Sequence, residues 1–150
     1  YMNRYPKTIR KKDSYDGAIP SSNAMICLSL IYLGRIFDEP IWMDQVYKML
    51  ASMHAMLIQY PSSFGYWAQS FFQIAYGLTE VVGIGEGVDK NLFPILELFL
   101  PHILPLWMAE EDGKFPTSKG KQGIDNQYFV CKNHACSPPY LQIEGILAKI

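Results

Sequence analysis

The sequence is poor in cysteine and has no excess of charge of either sign. Three cysteines in 150 residues are too few, and odd in number, for a secreted scaffold held together by disulfides. A reducing compartment, the cytoplasm, is therefore expected. The 13 basic residues nearly balance the 14 acidic ones, for a formal net charge of −1. Because binding to a phosphate backbone needs an excess of basic residues, nucleic acid is not an expected partner.

Long hydrophobic runs are also missing. The most apolar stretches, residues 24–33 and 95–109, are shorter than the roughly 20 residues that cross a bilayer as a helix. The second stretch also contains Glu97 and His102. The chain starts without a methionine and without the basic and apolar segments of a signal peptide. We therefore expect no membrane span and a chain cut from a longer protein.

The overall composition of the chain is typical of one folded domain. Hydrophobic residues make up 49% of the chain and charged residues 18%, which at this length supports a single compact core. The first twenty residues are polar with little periodicity and predict an exposed lead-in.

The first part of the chain, residues 1–77, then has the pattern of helices joined by short turns. Residues 24–37 are apolar almost all round and follow several N-cap candidates, which predicts a buried helix. A second helix follows Pro40, because apolar residues recur there at helical spacing, and a third covers residues 65–76. The stripe of the second helix consists of Trp42, Val46, Met49, Leu50, Met53 and Leu57.

In the second part, residues 78–150, the spacing of apolar residues no longer follows the helical period throughout. Residues 78–84 and 103–108 predict strands on either side of a helix that ends before Pro101. Strand, helix and strand with short connections indicate a βαβ unit with parallel strands.

The rest of this part predicts a surface loop over residues 110–127, a third short strand over 128–131 and a terminal helix from Pro138 to Ile150. The expected fold class is mainly α with a small α/β part. Helical hairpins would be followed by a short βαβ-type subdomain and a C-terminal helix, packed as one compact unit.

Residues 16–23 combine an acid, a glycine, a proline and small hydrogen-bonding side chains just before the first helix. In one interpretation Asp16, Ser21 and Asn23 bind substrate at the rim of a pocket. There the Asp16 carboxylate would accept hydrogen bonds from sugar hydroxyls or act as a general base. In the other interpretation, which the spacing alone favours, the same residues form a turn and an N-cap.

Residues 131–136 place Cys131, His134 and Cys136 close together in the sequence. A structural zinc site needs a fourth ligand, and the third cysteine, Cys27, belongs to the predicted buried helix, so no metal is expected. Three alternatives stay open for the two thiols: buried structural cysteines, which the pattern favours, a local disulfide, or a redox-active pair.

A glycine-rich turn over residues 83–87 follows the first predicted strand. Val88 stands where the dinucleotide fingerprint requires its third glycine, and Glu86 places negative charge where a phosphate would bind. No cofactor is expected.

The motif at residues 16–23 and the cysteine motif together carry a family resemblance. Asp16-Gly17-Ala18-Ile19-Pro20-Ser21-Ser22-Asn23 resembles the D-G-A-x-P-S-G-N segment of the thioredoxin-domain-containing, spermatogenesis-associated protein 20-like family. Residues 128–138 resemble that family's Y-V-C-x-N-x-x-C-x-x-P ending, and residues 80–84 are similar to a strand that follows its helices. Ser22 departs from the motif's glycine and Ala24 from its usual serine.

The resemblance implies the C-terminal portion of a long protein. In that family a thioredoxin-like domain precedes an α/α toroid, which resembles N-acylglucosamine 2-epimerases and six-hairpin glycosidases. The three helices would then be the last hairpins of the toroid. The motif turn would be formed by Asp16, Gly17, Pro20, Ser21 and Asn23. Cys131 and Cys136 would be paired thiols.

Three functions follow as hypotheses. The first is binding or isomerisation of a carbohydrate, with Asp16 and Asn23 at the pocket. The second is a non-catalytic interaction module, in which a second copy of the chain completes an incomplete ring as a homo-oligomer. The third is thiol redox exchange of Cys131 and Cys136 with the thioredoxin-like domain of the parent chain.

Overall fold

A computed structural model describes residues 13–111, 113, 115–121, 125–133 and 135–149. Most of the predicted lead-in, and His134 of the cysteine motif, lie outside these residues. The helices and strands of the described residues are α1 (Ser22–Phe37), α2 (Pro40–Gln59), α3 (Gly65–Tyr76), β1 (Thr79–Ile84), α4 (Val88–Glu97), β2 (Ile103–Met108), β3 (Gln127–Lys132), β4 (Ala135–Cys136) and α5 (Glu144–Leu147).

Helix α1 begins and ends where its local sequence predicts. Ser21 is the N-cap, and its hydroxyl oxygen accepts a hydrogen bond from the backbone N–H of Ala24 at 3.3 Å. At the other end Asp38 takes a left-handed conformation, with φ 52°, and donates its N–H to the carbonyl of Gly34. The predicted helix is confirmed, but its expected burial on most sides is not, because only one side of α1 lies in the core and Met25, Ile26 and Leu33 are exposed.

Helices α2 and α3 pack against α1 and against each other. Both lie at the predicted positions, since Pro40 opens α2 and Gly77 follows the last residue of α3. Their shared core also receives Leu78, which leads into β1. This helical core consists of Ala24, Cys27, Leu28, Ile31, Val46, Leu50, Met53, Phe64, Trp67 and Leu78.

The strands form one mixed sheet in the order β2-β1-β3-β4. Strands β1 and β2 are parallel and α4 connects them, so the predicted βαβ unit is confirmed. Strand β3 runs antiparallel to β1, and β4 runs antiparallel to β3. One face of the sheet packs on α4 and α5 through Val81, Val88, Leu92, Ile95, Ile103, Tyr128 and Ile146.

The expectation of a mainly α fold is wrong: the fold is mixed α/β. The helices do not form hairpins that pack only on other helices, as the terminal part of an α/α toroid would. Arg35 of α1 bonds the β3–β4 turn, and Gln73 of α3 donates to the backbone carbonyl of Pro101 just before β2. The helical layer is therefore joined directly to the sheet.

The predicted terminal helix is also wrong over most of its length. After Pro138 the backbone of Tyr140 pairs with that of Tyr128, and the two residues exchange N–H to carbonyl bonds of 2.8 and 2.9 Å. This bridge holds the chain extended beside β3, and only the short α5 follows it.

The predicted surface loop after β2 has a structured part. A 3₁₀ turn, Pro116–Ser118, buries Ser118 and lies against α1, where the rings of Phe37 and Phe115 are 5.6 Å apart. Lys121, shortly after this turn, lies over the Phe129 ring of β3. Residues 116–121 form one wall of the cavity described next.

Candidate functional site

The carboxylate of Asp16 is engaged by the backbone. One oxygen accepts the N–H of Ser21 at 2.8 Å, and the other accepts the N–H groups of Tyr66 at 2.8 Å and Trp67 at 3.4 Å. Tyr66 and Trp67 lie in the first turn of α3, whose amides lack partners within the helix, so Asp16 caps α3 as well as bracing its own turn. This arrangement matches the turn-and-cap interpretation of residues 16–23.

The three residues of the predicted binding turn do not face one groove. Ser21 is buried and caps α1, and its N–H is bound to Asp16. Asn23 alone of the three lines an open groove of about 480 Å³ between α1 and α2, and its side-chain amide donates to the carbonyl of Asp13. The turn therefore brings Asp16 and Ser21 together, whereas Asn23 lies in the separate groove between α1 and α2.

The cysteine motif forms a hairpin closed by a disulfide between Cys131 of β3 and Cys136 of β4. The two residues are direct partners in the strand register, with Cα atoms 4.0 Å apart. Asn133, in the turn, has φ 50°, a conformation that two-residue hairpin turns require. Among the alternatives that the spacing left open, the structure thus shows the local disulfide.

The two sulfurs have different surroundings. Cys131 is 1% exposed, whereas Cys136 is exposed and lines a cavity of about 350 Å³. This disulfide cavity lies between the end of α1, the Pro116–Lys121 segment and the start of β1. Its other lining residues are Arg35, Asp38, Glu80, Pro116, Thr117, Lys119 and Lys121.

A buried acid lies in the same row of the sheet as the disulfide. Glu80 of β1 is opposite Cys131, which is opposite Cys136, so these three side chains share one face on neighbouring strands. Side chains directly opposite each other have Cβ atoms roughly 5 Å apart. Glu80 is only 3% exposed. It is therefore a carboxyl group that water hardly reaches, next to the buried sulfur.

Glu80 is not among the site residues predicted from the sequence. The available signal was one acidic residue in a short strand whose other members are small or apolar, since acids are rarely buried without a partner or a role. The pattern alone could not show that this acid shares a row with the cysteine pair.

Two cations are held in the cavity wall by defined contacts. The ammonium of Lys121 donates to the carbonyl of Thr117 and lies 5.5 Å from the centre of the Phe129 ring. Burial lowers the pKa of Lys121, and the nearby negative charge of Glu80 acts in the opposite direction. Arg35 donates from Nη2 to the side-chain oxygen of Asn133 at 2.9 Å, which ties α1 to the hairpin turn.

The third cysteine differs from the pair. Cys27 is a free, fully buried residue of α1. Burial raises the pKa of its thiol, and a hydrogen bond with Ser70 opposes that shift. Because the thiolate is the reactive form, Cys27 is suited to packing rather than to exchange.

No group of three or more His, Cys, Asp or Glu side chains converges as metal ligands among the residues that the structure describes. Within the same residues, no helix is both long enough and apolar enough to cross a bilayer.

No family model matches the chain, and no curated protein or solved structure matches it either. The family resemblance stays a prediction that rests on the two motifs.

Proposed function

We propose that this chain is a thiol–disulfide exchange protein whose redox centre is the Cys131–Cys136 disulfide. The observation that carries the proposal is the asymmetry of that disulfide. Cys136 is exposed in a cavity lined by Arg35, Lys119 and Lys121, whereas Cys131 is buried. A disulfide with one accessible sulfur in positively charged surroundings is suited to attack by a thiolate.

The exchange begins at Cys136. An incoming thiolate attacks the Cys136 sulfur, and a mixed disulfide forms there as the bond to Cys131 breaks and Cys131 leaves as a thiolate. A second thiolate then attacks the sulfur of the bound thiol, which releases a small disulfide and leaves Cys136 reduced. The two attacking thiols lose two electrons in total, and the protein disulfide gains them.

Glu80 exchanges a proton with the buried sulfur of Cys131. When the disulfide closes again, the Cys131 thiol must lose its proton before it attacks the mixed disulfide at Cys136, and Glu80 is the acid directly opposite it. The carboxylate accepts that proton on closing and returns it on opening.

The proposed compartment is the cytoplasm. In a reducing compartment, disulfides are usually transient and are catalytic or redox-sensing rather than structural. The family resemblance implies a thioredoxin-like domain in the parent chain, which is one source of exchanging thiols.

The test is the reduction potential of the disulfide. The protein is equilibrated in glutathione buffers of graded ratio, unfolded and alkylated, and its thiols are counted by mass spectrometry. Cys27 adds one constant alkyl group, so the count changes by two as the pair opens. We expect a potential above about −300 mV, in the range of exchangeable disulfides, whereas a more negative value would mark a structural bond and overturn the proposal.

A second candidate function, carbohydrate binding, is favoured by the groove at Asn23. Gln45, Lys48 and Ser52 supply further polar groups along this groove. A thermal-melt screen with mono- and disaccharides tests it, with Asn23→Ala as the variant and Ser22→Ala, outside the groove lining, as the control. A stabilising shift that Asn23→Ala alone abolishes supports it, and no shift with any sugar removes it.

A further inference from the structure

We infer that the disulfide cavity selects small thiols that carry carboxylate groups, so that the substrate of the exchange is an anionic low-molecular-weight thiol. This inference rests on the proposed exchange function and names the substrate class of the same site.

The charge of the cavity lining is the first argument. The chain as a whole has a formal net charge of −1. Among the residues that the structure describes, the lining holds the cations Arg35, Lys119 and Lys121 and the acids Asp38 and Glu80. Its formal charge is therefore +1 with both acids ionised and +2 when Glu80 holds the proton of Cys131. A positive lining on a slightly negative protein concentrates anions at that place and repels cations.

The position of each charge is the second argument. Glu80 is buried and lies opposite Cys131 in the strand register, whereas Lys119 is exposed. Lys121 is partly withdrawn from water and fixed by its bond to Thr117. An ammonium group in such surroundings attracts a carboxylate more strongly than a fully hydrated one does. Carboxylates of a bound thiol would therefore lie against the lysines while its sulfur approaches Cys136.

The size of the cavity is the third argument. A volume of about 350 Å³ is at the small end of the range for sites that bind small molecules, roughly 300–1,000 Å³. Pro116 and Thr117 of the 3₁₀ turn and Arg35 of α1 line this recess together with Cys136. A recess of this size suits a small peptide thiol.

The chemical step is the exchange described above. The carboxylate-bearing thiolate forms a bond to the Cys136 sulfur, and Cys131 leaves with the electron pair of the broken bond. The same positive charges that bind the carboxylates also favour the thiolate form of the incoming sulfur.

The experiment compares thiols of different charge as reductants of the oxidised full chain. Glutathione provides the anionic thiol, 2-mercaptoethanol the neutral one and cysteamine the cationic one. Each rate is divided by the rate of the same thiol with a small uncharged disulfide, which removes differences in intrinsic reactivity. We expect the normalised rate with glutathione to exceed that with cysteamine by roughly 10-fold at low salt and to approach it at high salt.

Two lysine variants assign the effect to the cavity. Lys119→Ala is expected to slow glutathione roughly three-fold and to slow 2-mercaptoethanol, which has no carboxylate, by a smaller factor. Lys132→Ala is the matched control. Lys132 follows Cys131 in β3, but its side chain points to the opposite face of the sheet and its ammonium lies 4.9 Å from the Tyr76 ring centre.

The outcomes separate the inference from the proposed function. Equal normalised rates for the three thiols, or equal effects of Lys119→Ala and Lys132→Ala, would overturn the anionic substrate while exchange itself stands. A thioredoxin-like protein that reduces the pair much faster than glutathione, with no dependence on Lys119, would overturn it as well. If no thiol reduces the disulfide in the folded chain, the proposed function fails first.

Discussion

The Asp16 turn (residues 16–23) and the Cys131–Cys136 hairpin both stand out in the sequence, yet they use their reactive atoms in opposite ways. In the Asp16 turn, both carboxylate oxygens accept backbone hydrogen bonds that hold the turn and α3. In the hairpin, Cys136 is exposed in a cavity while its partner is buried. A dense set of hydrogen-bonding residues can thus be fully engaged in holding the fold, whereas the hairpin leaves one of its two cysteines exposed.

The largest expected effect comes from removing the structural role of Asp16. Asp16→Ala removes the acceptor of three backbone N–H groups and is expected to lower the free energy of unfolding by about 3 kcal/mol, measured by urea denaturation. Asp13→Ala is the control, because the side chain of Asp13 is exposed and its change should stay within about 0.5 kcal/mol. Equal effects of the two variants would contradict the capping role of Asp16.

The next effect comes from removing the proposed proton acceptor at the Cys131–Cys136 hairpin. Glu80→Gln keeps the size of the side chain but removes the group that accepts the Cys131 proton, so closing of the disulfide from the mixed disulfide should slow by roughly 100-fold at neutral pH. Stopped-flow release of the bound thiol measures that step and its pH profile.

Glu97→Gln, an exposed acid of α4, is the control for Glu80→Gln, and Glu80→Asp should restore part of the rate because it keeps a carboxylate. An unchanged rate and pH profile in a folded Glu80→Gln protein would show that Glu80 only fills space in the sheet.

Reduction of the disulfide should cost less stability than loss of the Asp16 cap. The disulfide closes a short loop, with a sequence separation of 5, so opening it should lower the free energy of unfolding by about 2 kcal/mol. Urea denaturation with and without a reductant measures the difference. The double variant Cys131→Ser with Cys136→Ser should not respond to the reductant, and a response of equal size there would refute the assignment to this disulfide.

The smallest expected effect is a pH dependence of stability that comes from the free Cys27 rather than from the disulfide pair. Burial raises the pKa of Cys27, so above the ordinary thiol pKa the folded chain retains a proton that the unfolded chain loses. Stability of the oxidised protein should therefore fall slightly as the pH rises through that range. Unfolding curves from pH 8 to 10 for the natural protein and Cys27→Ala should diverge, and parallel pH profiles would contradict the shift.

Elements that depend on neighbouring residues could be predicted from the sequence. Ser21 and Gly77 mark helix ends by local hydrogen bonding and backbone freedom, and the apolar spacing of α2 is visible without knowing its partners. The parallel pairing of β1 and β2 follows in the same way from a short connection through a helix.

Elements that depend on pairing across the chain could not be predicted. Strand β4 is only two residues long, and Tyr140 is extended because it bonds Tyr128. The same holds for the site. Whether Cys131 and Cys136 are bonded, and whether Glu80 lies beside them, depends on the register of three strands, which the sequence pattern does not contain.

The most direct measurement for the exchange function is the position of the mixed disulfide. The oxidised protein is treated briefly with glutathione, quenched with acid, alkylated and digested, and the adduct is located by mass spectrometry. Exchange through the exposed sulfur predicts glutathione on Cys136 and an alkylated, free Cys131. Glutathione on Cys131, or no adduct at any thiol concentration while the chain remains folded, would contradict it.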